Sequence, residues 1–202
     1  MPAATLRTKA RQSRRESRER IVAAATELVR TRAFSELSVD AVMREAGMGR
    51  TIFYRHFDDL AQLILSASRE AIEQLYEAQQ EMGQARPDED PEAVRRALSA
   101  AVDVYHRHGP LLRAVDEAAP ADEQLRHEYA AMRKRFDDFA ERSLRDVAGA
   151  GQIGPSDFAE TARALNFMNV SYLLDAFGRE PRVTPEVAVQ TLTEIWEAVI
   201  RR

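Results

Sequence analysis

The sequence predicts an all-α protein. Hydrophobic residues make up 45% and charged residues 31% of the chain, and its 202 residues include only 8 Gly and 8 Pro. Apolar positions recur at helical spacing, whereas β-branched runs with period-two alternation are scarce. The length allows a small module and a larger one to share a continuous core. About nine helices are expected: a basic, disordered arm over 1–16, a three-helix unit over 17–57, and a larger helical unit over 58–202.

Taken in order, the first helix is expected from about Ser17 to Thr31, where Ile21, Ala24, Ala25, Leu28 and Val29 form one buried stripe. Phe34 and Leu37 pack back as the chain turns. Ser38 has the chemistry of an N-cap for "VDAVMREA", a helix of about two turns that Gly47 closes from a left-handed conformation. A tight turn then leads to "RTIFYRHF", a third helix offering Ile52, Phe53 and Phe57 to the core. Two short helices joined by a Gly-bearing turn form a helix-turn-helix pattern.

A longer fourth helix starts at Asp58 or Asp59, whose carboxylates suit its positive end, and bridges the two units. The polar stretches "GQARPDEDP" (83–91) and "GAGQIGPSD" (149–157) read as breaks. Between them the pattern predicts a fifth helix over about 91–107, a short sixth around "PLLRAVDEA", and a seventh over about 121–148. An eighth follows over about 157–178, and a ninth begins at Thr184-Pro185, an N-cap followed by Pro at N1.

Several functions are excluded by composition. With no cysteine, neither disulfides nor thiolate metal sites are available, and His56, His106, His108 and His127 show no ligand spacing. No nucleophile with a base partner and no Gly-rich phosphate loop is present, so no enzyme activity and no cofactor are expected. The basic first twenty residues lack a signal peptide's apolar core, and no segment approaches the ~20 apolar residues of a membrane span. A cytoplasmic protein without membrane contact is expected.

Charge is distributed unevenly. Residues 1 to 57 hold 12 Arg and Lys against 6 Asp and Glu, a balance of +6, so within an overall −4 the remainder carries −10. A basic unit on an acidic body points to a polyanionic partner for the former. A helix that reads duplex DNA needs donors at its N-terminal end and flanking groups for phosphates. Arg50 and Thr51 occupy that end, with Arg50 suited to a guanine. Tyr54, Arg55 and His56 follow one turn later as phosphate ligands, although Tyr54 could equally be half-buried between helices and His56 could simply pack. Arg14, Arg15 and Arg18, with Arg7, Lys9, Arg11 and Arg20, would add sequence-independent phosphate affinity.

The stretch "LSVDAVMREAGMGRTIFYRHFDDLAQLI" resembles the DNA-binding signature of the TetR family of bacterial transcriptional regulators: a capped helix, a Gly-bearing turn, and a recognition helix ending in Tyr-x-His-Phe. That resemblance implies DNA contacts at Arg50, Thr51, Tyr54, Arg55 and His56, and a phosphate contact at Ser38. Two positions depart from the pattern. Gly49 stands where a Ser or Thr often starts the recognition helix, and Leu60 stands where a lysine is usual.

In the body, Leu125, Tyr129, Met132, Phe136 and Phe139 recur at spacings of four and three, a seam that suits a core or a ligand site. Asn166 and Asn169 share an apolar face with Ala162, Leu165, Leu173 and Ala176. An amide left unsatisfied there costs roughly 1–3 kcal/mol, so each needs a helix, a water or a ligand as partner. The run from "ALNFMN" to "IWEAVI" is similar to the TetR subgroup that includes the mycobacterial repressor governing ethionamide activation. This implies a long apolar tunnel lined by Val94, Leu98, Val102, Tyr105, Tyr129, Met132, Phe136, Asn166, Asn169 and Trp196. Val94, Tyr129 and Phe136 stand where that relative has tryptophans, so width and polarity should differ.

Val189, Leu192, Trp196, Val199 and Ile200 make an apolar face near the chain end, read as a homodimer surface formed with the eighth helix. Trp196 fits either tunnel or interface. The sequence is thus expected to encode a ligand-responsive TetR-type repressor, released from a palindromic double-stranded operator by a small hydrophobic effector. An activator, or a small-molecule-binding protein with an unused helix-turn-helix, is the alternative.

Overall fold

The structure, a computed structural model, describes residues 2–84, 92–149 and 155–200, with side chains described from Arg11 onward except at 81–84, 121, 124, 147–149 and 200. Most of the break expected at 83–91, most of that at 149–157, and the side chains of Arg7, Lys9 and Ile200 therefore lie outside the described residues.

Among the described residues the chain folds into eight α-helices: α1 (Pro2–Leu28), α2 (Val39–Glu45), α3 (Arg50–Phe53), α4 (Leu60–Gln84), α5 (Ala93–Ala118), α6 (Glu123–Gly149), α7 (Phe158–Phe177) and α8 (Pro185–Ile200). Two 3-10 turns, Phe34–Glu36 and Ala119–Ala121, complete the order. Short polar side chains start the helices. Ser38 Oγ accepts from Ala41 N at 3.1 Å, Asp59 from Gln62 N at 2.8 Å, and Asp157 from Glu160 N at 3.0 Å. Gly47, at φ +65°, makes the left-handed stop after α2.

Four expectations are corrected. The first helix begins at Pro2 rather than near Ser17. Its exposed surface carries the i,i+4 pairs Gln12–Glu16 (2.8 Å) and Arg15–Glu19 (2.6 Å), which support helix without burial. The recognition helix is a single turn, and Tyr54, Arg55 and His56 lie in the turn after it. The fifth and sixth helices are one, because Pro110 sits inside α5 without ending it. Next to it, a Cβ on Gly109 would stand 2.1 Å from the Phe177 carbonyl oxygen, so glycine lets α5 run directly against the end of α7.

The fourth correction concerns the chain-end face. Val189, Leu192 and Trp196 are buried within the subunit. α8 turns that stripe inward because α5 and α7 already supply an apolar surface to cover it. On α7 and α8 the large apolar side chains left exposed, among the described residues, are Phe167, Val187 and Ile195.

Two cores result. The head core joins Ile21, Ala25, Val29, Val42, Met43, Phe53 and Phe57 to Leu63 and Ile64 of α4 and to Leu111, Ala114 and Val115 of α5. The body core gathers α4 to α8 around Leu98, Val102, Leu173, Phe177, Leu192 and Trp196. Because α4 and α5 contribute to both, the head is continuous with the body rather than tethered to it.

Candidate nucleic-acid interface and effector cavity

Burial of Phe53 and Phe57 fixes the one-turn α3 and turns its other side outward. Arg50 and Thr51 are exposed on the first turn, and Tyr54 remains 52% exposed. Arg50 is preset: its Nη1 lies 3.3 and 3.4 Å from the Asp40 carboxylate oxygens, and its Nη2 donates to the Tyr54 hydroxyl at 3.1 Å. Arg55 is exposed, and its carbonyl accepts from Arg14 Nη2 at 3.1 Å, which draws Arg14 from α1 alongside the turn. Ser38 is exposed at the start of α2. Gly49 is the N-cap of α3 in extended conformation without a side-chain cap, and a Cβ there meets nothing within 4 Å.

Other basic candidates are bound elsewhere. Arg15 pairs with Glu19 at 2.6 Å. Arg18 donates to Ser66 Oγ, and its guanidinium lies 5.3 Å from the centre of the Phe57 ring, locking α1 to α4. His56 is half-buried, with Nε2 3.0 Å from Ser17 Oγ. Partial burial, then Arg14, Arg18 and Arg55, hold its pKa below the ordinary value, so the ring is neutral in the free protein near pH 7. Leu60 packs against the head core, which accounts for an apolar residue where a lysine is usual. Asp40, the partner of Arg50, was invisible to local pattern because ten residues separate the pair.

The second site is a cavity of about 120 Å³ lined by residues of α4 to α8. Of the expected lining, Leu98, Tyr105, Tyr129, Met132, Phe136, Asn166, Asn169 and Trp196 face it. Val94 and Val102 do not: both are buried in the body core. Val94 lies one turn beyond Leu98, and Val102 falls about 90° round α5 from the middle of the lining stripe. Trp196 belongs to the cavity, with Nε1 donating to Asn169 Oδ1 at 3.3 Å. Asn166 Nδ2 donates to Asp137 Oδ1 at 3.0 Å. Ile72, Leu75 and Ala78 of α4 close one side, and Phe136 stacks on Tyr76 at 4.9 Å.

Polar groups collect where the cavity meets the head, and of these sequence reasoning named Tyr105 and Tyr129 but missed Asp116, Arg113 and Glu117. Tyr129 donates to Asp116 Oδ1 at 2.7 Å, while its ring packs against the head core. Burial and the bond to Asp116 raise its pKa, and burial likewise raises that of Tyr105, so both phenols stay protonated. Arg113, one turn before Glu117, donates to the Gly178 carbonyl at 2.6 Å and to Glu117 Oε1 at 2.6 Å. Its Nη2 reaches the carbonyls of Val29 at 3.3 Å and Arg32 at 3.2 Å, and Glu117 accepts from Phe34 N at 2.7 Å. The i,i+4 spacing was legible, but placing a break at Pro110 hid its reach.

Comparison with known proteins covers both parts of the chain. Residues 21–67 match the family described as bacterial regulatory proteins, tetR family, and residues 94–201 match the C-terminal domain of transcriptional regulator EthR. The HTH-type transcriptional regulator EthR of Mycolicibacterium smegmatis is 27% identical over 194 residues, covering 94% of this chain and 88% of its own. That of Mycobacterium tuberculosis is 26% identical over 181 residues, covering 87% and 83%. Among solved structures, the TetR-family regulator PfmR from Thermus thermophilus shares the fold with TM-score 0.74 at 19% identity, over 90% of this chain and 99% of its own. AibR in complex with isovaleryl coenzyme A and operator DNA shares it with TM-score 0.70 at 19% identity, over 89% and 97%. A head that exposes Arg50 and Tyr54, continuous with a body enclosing an apolar cavity, places this chain in the TetR family of bacterial regulatory proteins, with the C-terminal domain of the EthR group.

Proposed function

We propose that this chain is a cytoplasmic, homodimeric repressor that holds a near-palindromic operator through two copies of its head and releases it when a small, mostly apolar molecule occupies the cavity. Arg50 and Thr51 face base edges, and Ser38, Gly49, Tyr54, Arg55 and Arg14 approach phosphates. Exposure of Arg50, Thr51 and Tyr54 on a turn anchored by fully buried Phe53 carries this reading. Before use, Arg50 must exchange Asp40 for DNA. Both partners are solvated, so that exchange costs little.

Dimerisation uses the outward faces of α7 and α8, where Phe167, Val187 and Ile195 are exposed, in an isologous four-helix contact. The effector acts by population shift: it favours a separation of heads that no longer matches successive major grooves, about 34 Å apart, and acts only through that differential affinity.

The test begins by sequencing genomic fragments retained by the purified protein. Arg50→Ala combined with Tyr54→Ala should abolish gel-shift binding to the selected duplex while sedimentation still reports a dimer. Retained binding would remove α3 as the reading element.

A further inference from the structure

α1 is longer than its packing explains. Its buried positions are Ile21, Ala24, Ala25 and Leu28, whereas every side chain from Arg11 to Glu16 is exposed. The helix nonetheless starts at Pro2, well ahead of the stretch that the head core buries. That leading stretch is also of one sign: residues 1–15 hold Arg7, Lys9, Arg11, Arg14 and Arg15 and no Asp or Glu.

Three contacts give the direction in which the helix extends. The Arg18 guanidinium lies 5.3 Å from the centre of the Phe57 ring, Ser17 Oγ lies 3.0 Å from His56 Nε2, and Arg14 Nη2 donates to the Arg55 carbonyl at 3.1 Å. Toward its N-terminus, α1 therefore follows the turn backward from Phe57 to Arg55, in the direction of α3. Arg20, donating to the Ala46 carbonyl at 2.6 Å, ties the same helix to the end of α2. Residues 2–13 continue that path for about 18 Å at 1.5 Å per residue, beyond the surface that carries Tyr54 and Arg55. The pairs Gln12–Glu16 at 2.8 Å and Arg15–Glu19 at 2.6 Å support helix here without burial. Arg11 is exposed and falls one turn ahead of Arg14 on the same face.

Resting on the DNA-binding reading above, we propose that the leading part of α1 is a helical spur. It follows the phosphate backbone of the duplex outside the half-site read by α3, through Arg7, Lys9 and Arg11. A spur of about 18 Å spans about five base pairs at 3.4 Å each. Charge selects a duplex as its occupant: a basic run without a carboxylate, beside a turn that approaches phosphates, complements a regular row of negative charge. Backbone contacts of this kind carry no sequence information, so the spur adds affinity without lengthening the motif that is read. Its helical form sets it apart from an arm that enters a minor groove, where the width of the groove makes A·T content matter.

The full-length protein is titrated by fluorescence anisotropy with the selected operator cut flush at its half-sites, and with the same duplex extended on each side by about eight base pairs of A·T or of G·C sequence. The flanks should tighten wild-type binding at least about tenfold at about 0.1 M salt, equally for both compositions. A variant combining Arg7→Gln, Lys9→Gln and Arg11→Gln should bind the flush duplex as the wild type does and lose the gain from the flanks. On the flanked duplex its slope of log K against log salt should be shallower by at least about two, each neutralised phosphate contributing about 0.9. Ser13→Pro keeps every charge at an exposed position but breaks the helix ahead of it, so it should lose most of the same gain with Tm unchanged. A gain kept by the triple variant would overturn the spur. One that survives Ser13→Pro, or that appears with A·T flanks alone, would replace it with a flexible minor-groove arm. If the flush duplex binds and flanks add nothing, the spur alone falls. If neither duplex binds, the DNA-binding reading falls with it.

Discussion

Replacing Arg113 by methionine should be the most damaging single change outside the apolar cores. Its side chain is 11% exposed and paired with Glu117, itself 31% exposed, at 2.6 Å. The guanidinium also serves the carbonyls of Gly178, Val29 and Arg32, so the end of α1, the last third of α5 and the end of α7 meet on one cation. Methionine preserves the stem but leaves a partly buried carboxylate without its counter-charge and three carbonyls without a donor. Removing one partner of a buried pair costs about 3–5 kcal/mol, and the long bonds at 3.2 and 3.3 Å argue against more. At about 2–4 °C per kcal/mol for a chain of this size, Tm should fall by about 6–20 °C. Urea unfolding, repeated at several protein concentrations, checks the same quantity and separates it from any shift in a dimer equilibrium. Glu117→Gln, which keeps an acceptor for Phe34 N, should cost less than Arg113→Met, and the double variant less than the two singles added. A loss for Arg113→Met below about 1 kcal/mol would refute the view that this cation organises the junction.

Three further outcomes follow from the geometry. Gly109→Ala forces a Cβ to 2.1 Å from the Phe177 carbonyl oxygen, so it should cost at least about 1–3 kcal/mol in calorimetry by prising α5 from α7. Asp40→Ala releases Arg50 and removes a carboxylate from the DNA face, so fluorescence anisotropy should show a modestly tighter operator complex; weaker binding would mean the pair preorganises Arg50. His56 titrates below its ordinary 6.5 in the folded state, so the unfolded chain protonates first. Its contribution is complete above that pH and is lost as pH falls through the folded-state pKa. The urea midpoint should therefore decline from about pH 7 to pH 5, and His56→Gln should flatten that decline.

The head was readable because its signals are local. Ser38 caps the residue three ahead, Gly47 needs a positive φ, and Phe53 and Phe57 are four apart, so each is decided within a turn of helix. What escaped depended on partners distant in sequence. Pro110 reads as a helix breaker until Gly109 is seen against Phe177, 68 positions on. The Val189, Leu192 and Trp196 stripe looks the same whether it covers the subunit's own core or a second copy's, because periodicity states that a face is apolar and not what covers it. Val94 and Val102 were named by likeness of helix position, which carries over the face of a helix less well than its axis. The paired asparagines were foreseen as needing partners, and they found them in Asp137 and Trp196.

In the proposed mechanism the route between cavity and DNA runs through about two turns of α5. Leu112 and Val115 line the cavity, Leu111, Ala114 and Val115 belong to the head core, and Arg113 and Glu117 hold the end of α1 and the turn after it. One rigid helix therefore presents three faces to three clients, and Val115 serves two of them at once. Packed cores resist gradual deformation, so a ligand that displaces Leu112 and Val115 moves Ala114 and the Arg113 junction with them instead of being absorbed locally. In that mechanism a small displacement suffices, since α4 and α1 would magnify a rotation of the head about the Arg113 junction before it reached Arg50. Moving a population from one part in a hundred to ninety-nine asks for about 5.5 kcal/mol of differential affinity. That is more than one hydrogen bond supplies, so the effector has to exploit the apolar length of the cavity as well as its polar end.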